Sequence, residues 1–166
     1  MRRVWILGSG KRVQDAAIPA IRRADGFVLQ GVLARTAKTI TVEDEDVAVT
    51  PLADLKPGDL MPGDLIFSAV AKNAVPDVLT TLGKLGVGDV DLMIDTPVLL
   101  YKHMGCLPLL EPFRNVWVSE DTTTMPCWDP VRTRLAAGDI GELRRIVLDR
   151  SGYAYHAFAM GKALFG

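Results

Sequence analysis

The chain opens on an apolar run, Arg3-Val4-Trp5-Ile6-Leu7, that is closed at once by Gly8-Ser9-Gly10. Five residues are too few for a stable helix, and a run of this kind ended by glycine suits a strand buried on both faces. From Val13 to Arg23 the small and apolar residues Val13, Ala16, Ala17, Ala20 and Ile21 recur at helical spacing. Strand, glycine turn and helix in that order restrict the first segment to a β-turn-α unit. Pro19 lies inside the helical run, so a kink or local break is expected there.

The same alternation continues. Phe27 to Ala34 reads as a second strand ending at Arg35-Thr36, and Val47-Ala48-Val49 as a short third. The polar, acidic stretch Thr39 to Asp46 reads as a surface loop or a frayed turn. Leu52 and Leu55 mark a brief helical turn. Two turn signatures, Lys56-Pro57-Gly58-Asp59 and Met61-Pro62-Gly63-Asp64, introduce a strand from Leu65 to Val70. A helix follows from Val75 to Leu85, stopped by Gly86 and Gly88. Val90 to Asp95 is the next strand, Val98 to Leu110 has a mixed helical pattern, and Val116 to Ser119 is a further strand. Strands alternating with helices predict an α/β fold, a Rossmann-type doubly wound and mostly parallel sheet, over residues 1–120. Residues 121–166 change texture. Trp128 to Ala137 reads as a helix, Gly138 to Gly141 as a turn, Glu142 to Asp149 as a strand with one wet face, and Tyr153 to Leu164 as a last helix. That is a short α+β extension, a linker helix with an incomplete substrate or oligomerisation domain. A strand with so few neighbours leaves an exposed edge and an apolar face, which predicts a homo-oligomer or a second chain covering it.

Composition excludes several classes of function. A net charge of -1 carries no basic excess, which argues against nucleic acid as a partner. No apolar run approaches the length of a membrane span, and the run after Met1-Arg2-Arg3 breaks too early for a secretory signal. Cys106 and Cys127 have no metal-ligand spacing and read as reduced thiols; no metal is expected, and the setting reads as cytoplasmic.

Gly8-Ser9-Gly10, placed between strand and helix, is the arrangement that admits a diphosphate. The first glycine makes a tight turn, the second lets the backbone approach the phosphates, and the helix start supplies amide donors. Val13 stands where a third glycine is usual, and an ordinary strand–helix turn shares the local pattern. At the end of the second strand, NAD-specific sites place a carboxylate on the ribose hydroxyl. Here Arg35 and Thr36 stand at that end, with Lys38 nearby. A guanidinium grips a 2′-phosphate through paired hydrogen bonds, so NADP is the expected cofactor, with NAD as the other choice. Lys11 and Arg12 add positive charge beside the phosphates; a solvated surface is the plainer reading of all these cations.

The order of these segments resembles the glucose–fructose oxidoreductase and inositol dehydrogenase family (Gfo/Idh/MocA). Gly8-Ser9-Gly10 with Pro19-Ala20-Ile21 is similar to its opening helix, and Ser68 to Asn73, followed by a helix and Gly86, to its fourth strand and the helix behind it. Ile94-Asp95-Thr96-Pro97-Val98 stands where the family has Glu-Lys-Pro, and Val116 to Leu143 resembles its run into the substrate domain. The resemblance implies hydride transfer between NADP(H) and a hydroxyl or carbonyl carbon of a small polar, sugar-like substrate. It implies that Gly8, Ser9, Gly10, Lys11 and Arg12 hold the pyrophosphate and that Arg35 and Thr36 hold the adenosine ribose phosphate. Ala71, Lys72 and Asn73 would line the cleft, with Asp95, Thr96 and Pro97 at the nicotinamide end.

The chain departs from the family where chemistry is concerned. Thr96 takes the place of the family's lysine, and threonine is neither a useful acid nor a cation at neutral pH. Tyr153 to Ala159 resembles a Gly-x-His-x-x-Asp segment in which His156 matches the histidine and Ala159 replaces the acid. His156, with Tyr153 on the same helical face, is the first candidate for proton transfer, although an interfacial or capping histidine is the commoner case. Lys102, beside Tyr101 and His103, is the candidate to stand in for the missing lysine, at a poor distance along the chain. These departures, and a length about half the family's, keep a second reading open: a dinucleotide-binding module (a sensor, a partner subunit or a fragment of a longer enzyme) that performs no chemistry by itself.

Overall fold

The computed structural model describes residues 1–145, 147 and 154–165, and divides into two compact units, Met1–Ser119 and Glu120–Gly166. The first unit holds a seven-stranded sheet. Its strands are β1 (Arg2–Leu7), β2 (Phe27–Ala34), β3 (Lys38–Val42), β4 (Glu45–Pro51), β5 (Leu65–Ser68), β6 (Asp91–Asp95) and β7 (Asn115–Ser119), in the spatial order β3-β4-β2-β1-β5-β6-β7. Every pairing is parallel except β3 with β4. This is the Rossmann-like α/β fold that the alternation predicts.

Side-chain alternation divides the sheet's two faces. Ile6, Val32 and Val49 point to one face, where they pack with Val13 and Ile18 of the first helical segment and with Ile40 and Val42. Trp5, Leu7, Leu33, Ile66, Leu92 and Ile94 point to the other, against α2 (Val75–Gly83), which contributes Val75, Leu79 and Leu82. Each of those α2 leucines is fully shielded, a burial that stabilises by about 1.5–3 kcal/mol per side chain. The chain moves outward from β1 to β2 on one side and to β5 on the other, so the direction of winding reverses beside β1. Open sheets of this kind bind ligands in the crevice outside the carboxyl ends of the strands at such a reversal. Register levels those ends: Leu7 lies beside Leu33 and Ser68, and Ser68 beside Ile94.

Pro19 is accommodated without a break. The helical backbone begins at Lys11, widens into a π-turn over Val13–Ala17, then continues as α1 (Ile18–Arg23). In the wide turn the Ile18 amide donates to the Val13 carbonyl, five residues back, and Pro19 follows directly. A proline ring clashes with the carbonyl four residues before it and offers no donor, and a local π-turn is one way to absorb both.

The expected loop over Thr39 to Asp46 is corrected by the structure, which folds it into the β3–β4 hairpin. The residue types explain it: Ile40 and Val42 alternate with exposed threonines and bury themselves on the α1 face. The turn places Glu43 and Asp44 at positive φ, as a two-residue hairpin demands. Arg22 and Arg23 at the end of α1 pair with Glu43 and Glu45. The strand expected from Leu65 to Val70 ends at Ser68, and the mixed pattern after Pro97 is a 3-10 segment over Tyr101–Leu110.

In the second unit, α3 (Asp129–Ala136) ends in a turn with Gly138 and Gly141 at positive φ, and α4 covers Ala154–Phe165. The strand expected over Glu142 to Asp149 is not formed at 142–145, where the backbone is irregular, and its remainder falls mostly outside the described residues.

The amino ends of the strands carry a buried charge cluster that the sequence reading did not single out. Asp91, at the start of β6, accepts hydrogen bonds from Arg114 Nε and Asn115 Nδ2, both at 2.9 Å, and pairs with Arg2. Asp64, before β5, accepts from Trp5 Nε1 at 2.9 Å and the Met61 amide at 3.0 Å. The Arg114 hydrogen bond, helped by Asn115 and Arg2, outweighs burial and holds the Asp91 carboxyl at about 2, below its ordinary 3.8. A carboxyl depressed in the folded state stabilises above its unfolded pKa, and that stability is lost as pH falls through the folded value. Urea unfolding between neutral pH and pH 2 should therefore show a loss of at most about 2 kcal/mol below roughly pH 4 that Asp91→Asn removes. Parallel acid profiles for the two proteins would contradict the assignment.

Candidate functional site

The carboxyl edge of the parallel strands collects most of the residues that the sequence marks as binding. Gly8 leaves β1 with φ +115°, and a Cβ built there would lie 2.5 Å from the Ala69 carbonyl oxygen. The Gly8 amide donates to the Leu33 carbonyl and the Ala69 amide to the Leu7 carbonyl, each at 2.8 Å. The turn after β1 is therefore tied to both β2 and the segment after β5, at the reversal in winding. Only glycine fits the first position. Gly10 differs: a Cβ there would meet nothing within 4 Å, so the backbone faces open space. The Gly10 carbonyl accepts from the amides of Val13 and Gln14, which starts the helix. Val13 is fully buried in the α1-side core, so the third-glycine position is used for packing.

Around this turn lie the other candidates. Arg35 and Thr36 are exposed just beyond β2, and Lys38 is exposed at the start of β3. Ala71, Lys72 and Asn73 are exposed in the turn between β5 and α2. Asp95, Thr96 and Pro97 are half-buried at the end of β6, with a cis peptide between Thr96 and Pro97. Arg12 reaches Asp95 at 3.4 Å, an ion pair joining the first helix to the end of β6. That contact between two predicted site residues is not readable from the sequence. Lys102 is exposed on the 3-10 segment, and its neighbour His103 has a buried Nδ1 with no hydrogen-bond partner.

The second unit holds a separate polar cluster. His156 Nδ1, on α4, lies 2.9 and 3.1 Å from the two carboxylate oxygens of Glu120 and 3.0 Å from the Thr122 hydroxyl. The Thr122 amide donates to the same carboxylate at 3.0 Å. Burial pushes the Glu120 carboxyl up, but the hydrogen bonds from His156 and Thr122 outweigh it and hold the group below the usual range. Tyr153, the other residue predicted on this helix, lies outside the described residues. Glu120 was missed because its only sequence signal is its place directly after β7. Among the described residues, no group of three or more His, Cys, Asp or Glu side chains is arranged to hold a metal ion. No helix among them is long and apolar enough to cross a membrane.

No protein-family model and no curated protein sequence matches this chain. Solved structures do. A probable oxidoreductase, YhhX, superposes with a TM-score of 0.72 at 15% identity, over 100% of this chain and 54% of its own. A chain assigned as a myo-inositol dehydrogenase from Sinorhizobium meliloti gives 0.70 at 16%, over 99% of this chain and 55% of its own. A Gfo/Idh/MocA family oxidoreductase from Vibrio cholerae gives 0.61 at 15%, over 87% and 46%. The chain shares the fold of the matched part of these structures. The chain spans about half the length of these structures. Within that fold, Asp95-Thr96-Pro97 closes β6 and the Gly8–Gly10 turn closes β1, on one edge of one sheet.

The two glycines separate folding from binding. Gly8→Ala should destabilise by about 2–4 kcal/mol, from positive φ and the Ala69 contact together. Gly10→Ala should leave the denaturation midpoint unchanged or slightly raised, because its Cβ has room and the unfolded chain loses freedom. Equal losses in the two variants would show that the turn is packed differently.

Proposed function

We propose that this chain binds a nicotinamide dinucleotide across the carboxyl edge of its sheet, with the phosphorylated form preferred, as part of a hydride-transferring oxidoreductase. The observation that carries the reading is the Gly8–Gly10 turn. It is pressed against Ala69 on one side and open at Gly10 on the other, at the start of a helix. A Cβ at Gly10 would occupy the space that a pyrophosphate needs for close backbone approach. The residues present therefore fit the group.

In this reading the amides of Ser9 to Arg12 hold the pyrophosphate, aided by the positive end of the helix and by Lys11. Arg12 contributes its charge from within its pair with Asp95. Arg35 takes the 2′-phosphate, with Thr36 beside it, since a guanidinium matches phosphate geometry. Ala71, Lys72 and Asn73 line the cleft, and Asp95, Thr96 and Pro97 border the nicotinamide. The dinucleotide, when bound, supplies the hydride acceptor or donor. The chain's own residues bind, orient and exchange the accompanying proton. His156 is the first candidate for that proton, with Lys102 and Tyr153 as the others. The substrate class is a small polar, sugar-like alcohol or carbonyl compound, as the myo-inositol dehydrogenase assignment of one structural neighbour suggests.

A second reading, binding without turnover, is favoured by Thr96. A hydroxyl stands where the resemblance implies a lysine, and a threonine hydroxyl does not exchange protons usefully near neutral pH. Titration with NADPH and NADH, followed by tryptophan fluorescence, tests the shared part of both readings. Arg35→Asp should weaken NADPH at least tenfold while changing NADH little, and equal losses would remove the phosphate preference. Turnover on a panel of polyols and sugars selects the enzyme; binding alone selects the module.

A further inference from the structure

The glycine turn carries a side-chain contact that the binding reading does not use. Gln14, half-buried in the first turn of the helix, donates from Nε2 to the Ser9 carbonyl at 2.8 Å. A carbonyl oxygen only accepts, so the carboxamide presents its nitrogen there. In a regular helical start that carbonyl would take the Val13 amide, four residues on. The Val13 and Gln14 amides both go to the Gly10 carbonyl instead, and the Gln14 side chain serves the oxygen left over. The peptide between Ser9 and Gly10 is trans, since the cis bond among the described residues is Thr96–Pro97. In a planar trans peptide the C=O and N–H point in opposite directions. With the Ser9 oxygen held by Gln14, the Gly10 N–H is aimed away from the carboxamide. Among the described residues that N–H has no acceptor, and Gly10 is exposed.

Gly10 lies outside the positive-φ region and its Cβ would meet nothing, so folding itself gives no reason for glycine there. Glycine opens the turn to a ligand, but it also gives freedom. Without a Cβ, the Ser9–Gly10 peptide can turn over with little steric hindrance. Turned over, it presents an oxygen to an anion where a donor is needed. We propose that Gln14 is the positioning residue of this peptide, holding the Gly10 N–H outward as a ready donor to the pyrophosphate of the dinucleotide. The ligand rests on the dinucleotide reading; the orientation of the peptide does not. A donor fixed before binding adds affinity, because less ordering is left to be done when the ligand arrives. The pyrophosphate is common to both dinucleotides, so Gln14 supports NADPH and NADH alike, whereas Arg35 distinguishes them.

The test is Gln14→Leu, which keeps the bulk and removes the donor. Its Kd for NADPH and for NADH should each rise about tenfold, with their ratio unchanged. A second readout separates positioning from mere stability. In the isotope-labelled protein, the Gln14 side-chain nitrogen should show scalar coupling to the Ser9 carbonyl carbon across the hydrogen bond. On adding NADPH the Gly10 amide proton should move downfield, and in Gln14→Leu that shift should shrink. Unchanged Kd values in Gln14→Leu end the positioning role and leave the dinucleotide reading standing. No coupling to Ser9 in the unaltered protein, or a loss confined to NADPH, overturns the assignment as well. Should Gln14→Leu fail to fold, Gln14→Met, unbranched and of similar length, takes its place. If the unaltered protein shows the coupling but binds neither dinucleotide, the dinucleotide reading fails and Gln14 only caps the turn.

Discussion

Where β1 ends, its next residue lies so close to the segment after β5 that no side chain fits between them. Gly8 approaches the Ala69 carbonyl, and the flanking amides bond to Leu33 and Leu7. Three neighbouring strands are thereby brought level, and the point where the winding reverses becomes an open edge lined with backbone amides. The positions of Arg35, Asn73 and Asp95 around that edge follow from strand register. A larger residue at position 8 would separate the two loops and with them the candidate binding surface.

The sheet divides its charges between its two ends. At the amino ends, Asp64 and Asp91 are buried and saturated with donors, and they hold strands together. Their partners come from β1, from the Met61 turn and from the residues at the start of β7. At the carboxyl ends the charged groups are mostly exposed, and an ion pair of Arg12 with Asp95 crosses the edge. Buried acids satisfied by arginine and tryptophan are costly to disturb, which suits a structural end. Exposed cations beside an open glycine turn suit an end that meets an anion.

Much of this was legible in the sequence because it rests on local period and turn chemistry. Apolar runs, those of β1 and β6 closed by glycine or proline, located β1, β2, β5, β6 and β7 to within a few residues, and Gly86 and Gly88 marked the end of α2. The β3–β4 hairpin was not legible, because its turn is Glu43-Asp44 and lacks the glycine or asparagine that positive φ normally selects. Long-range contacts were not legible either. Nothing in sequence order relates Arg12 to Asp95, Arg114 to Asp91 or Glu120 to His156, since each pair is formed by packing between distant segments. The residues expected to bind were found at one edge; the residues expected to react were not gathered by any sequence signal.

The central claim is that a dinucleotide lies on the carboxyl edge, over Gly10. Backbone amide chemical shifts recorded during titration with NADPH test it most directly. Perturbations should cluster at Ser9 to Arg12, Arg35, Thr36 and residues 71–73, with Arg2, Asp91 and Arg114 unmoved. Shifts concentrated at the amino ends of the strands, or none at saturating NADPH, would contradict it.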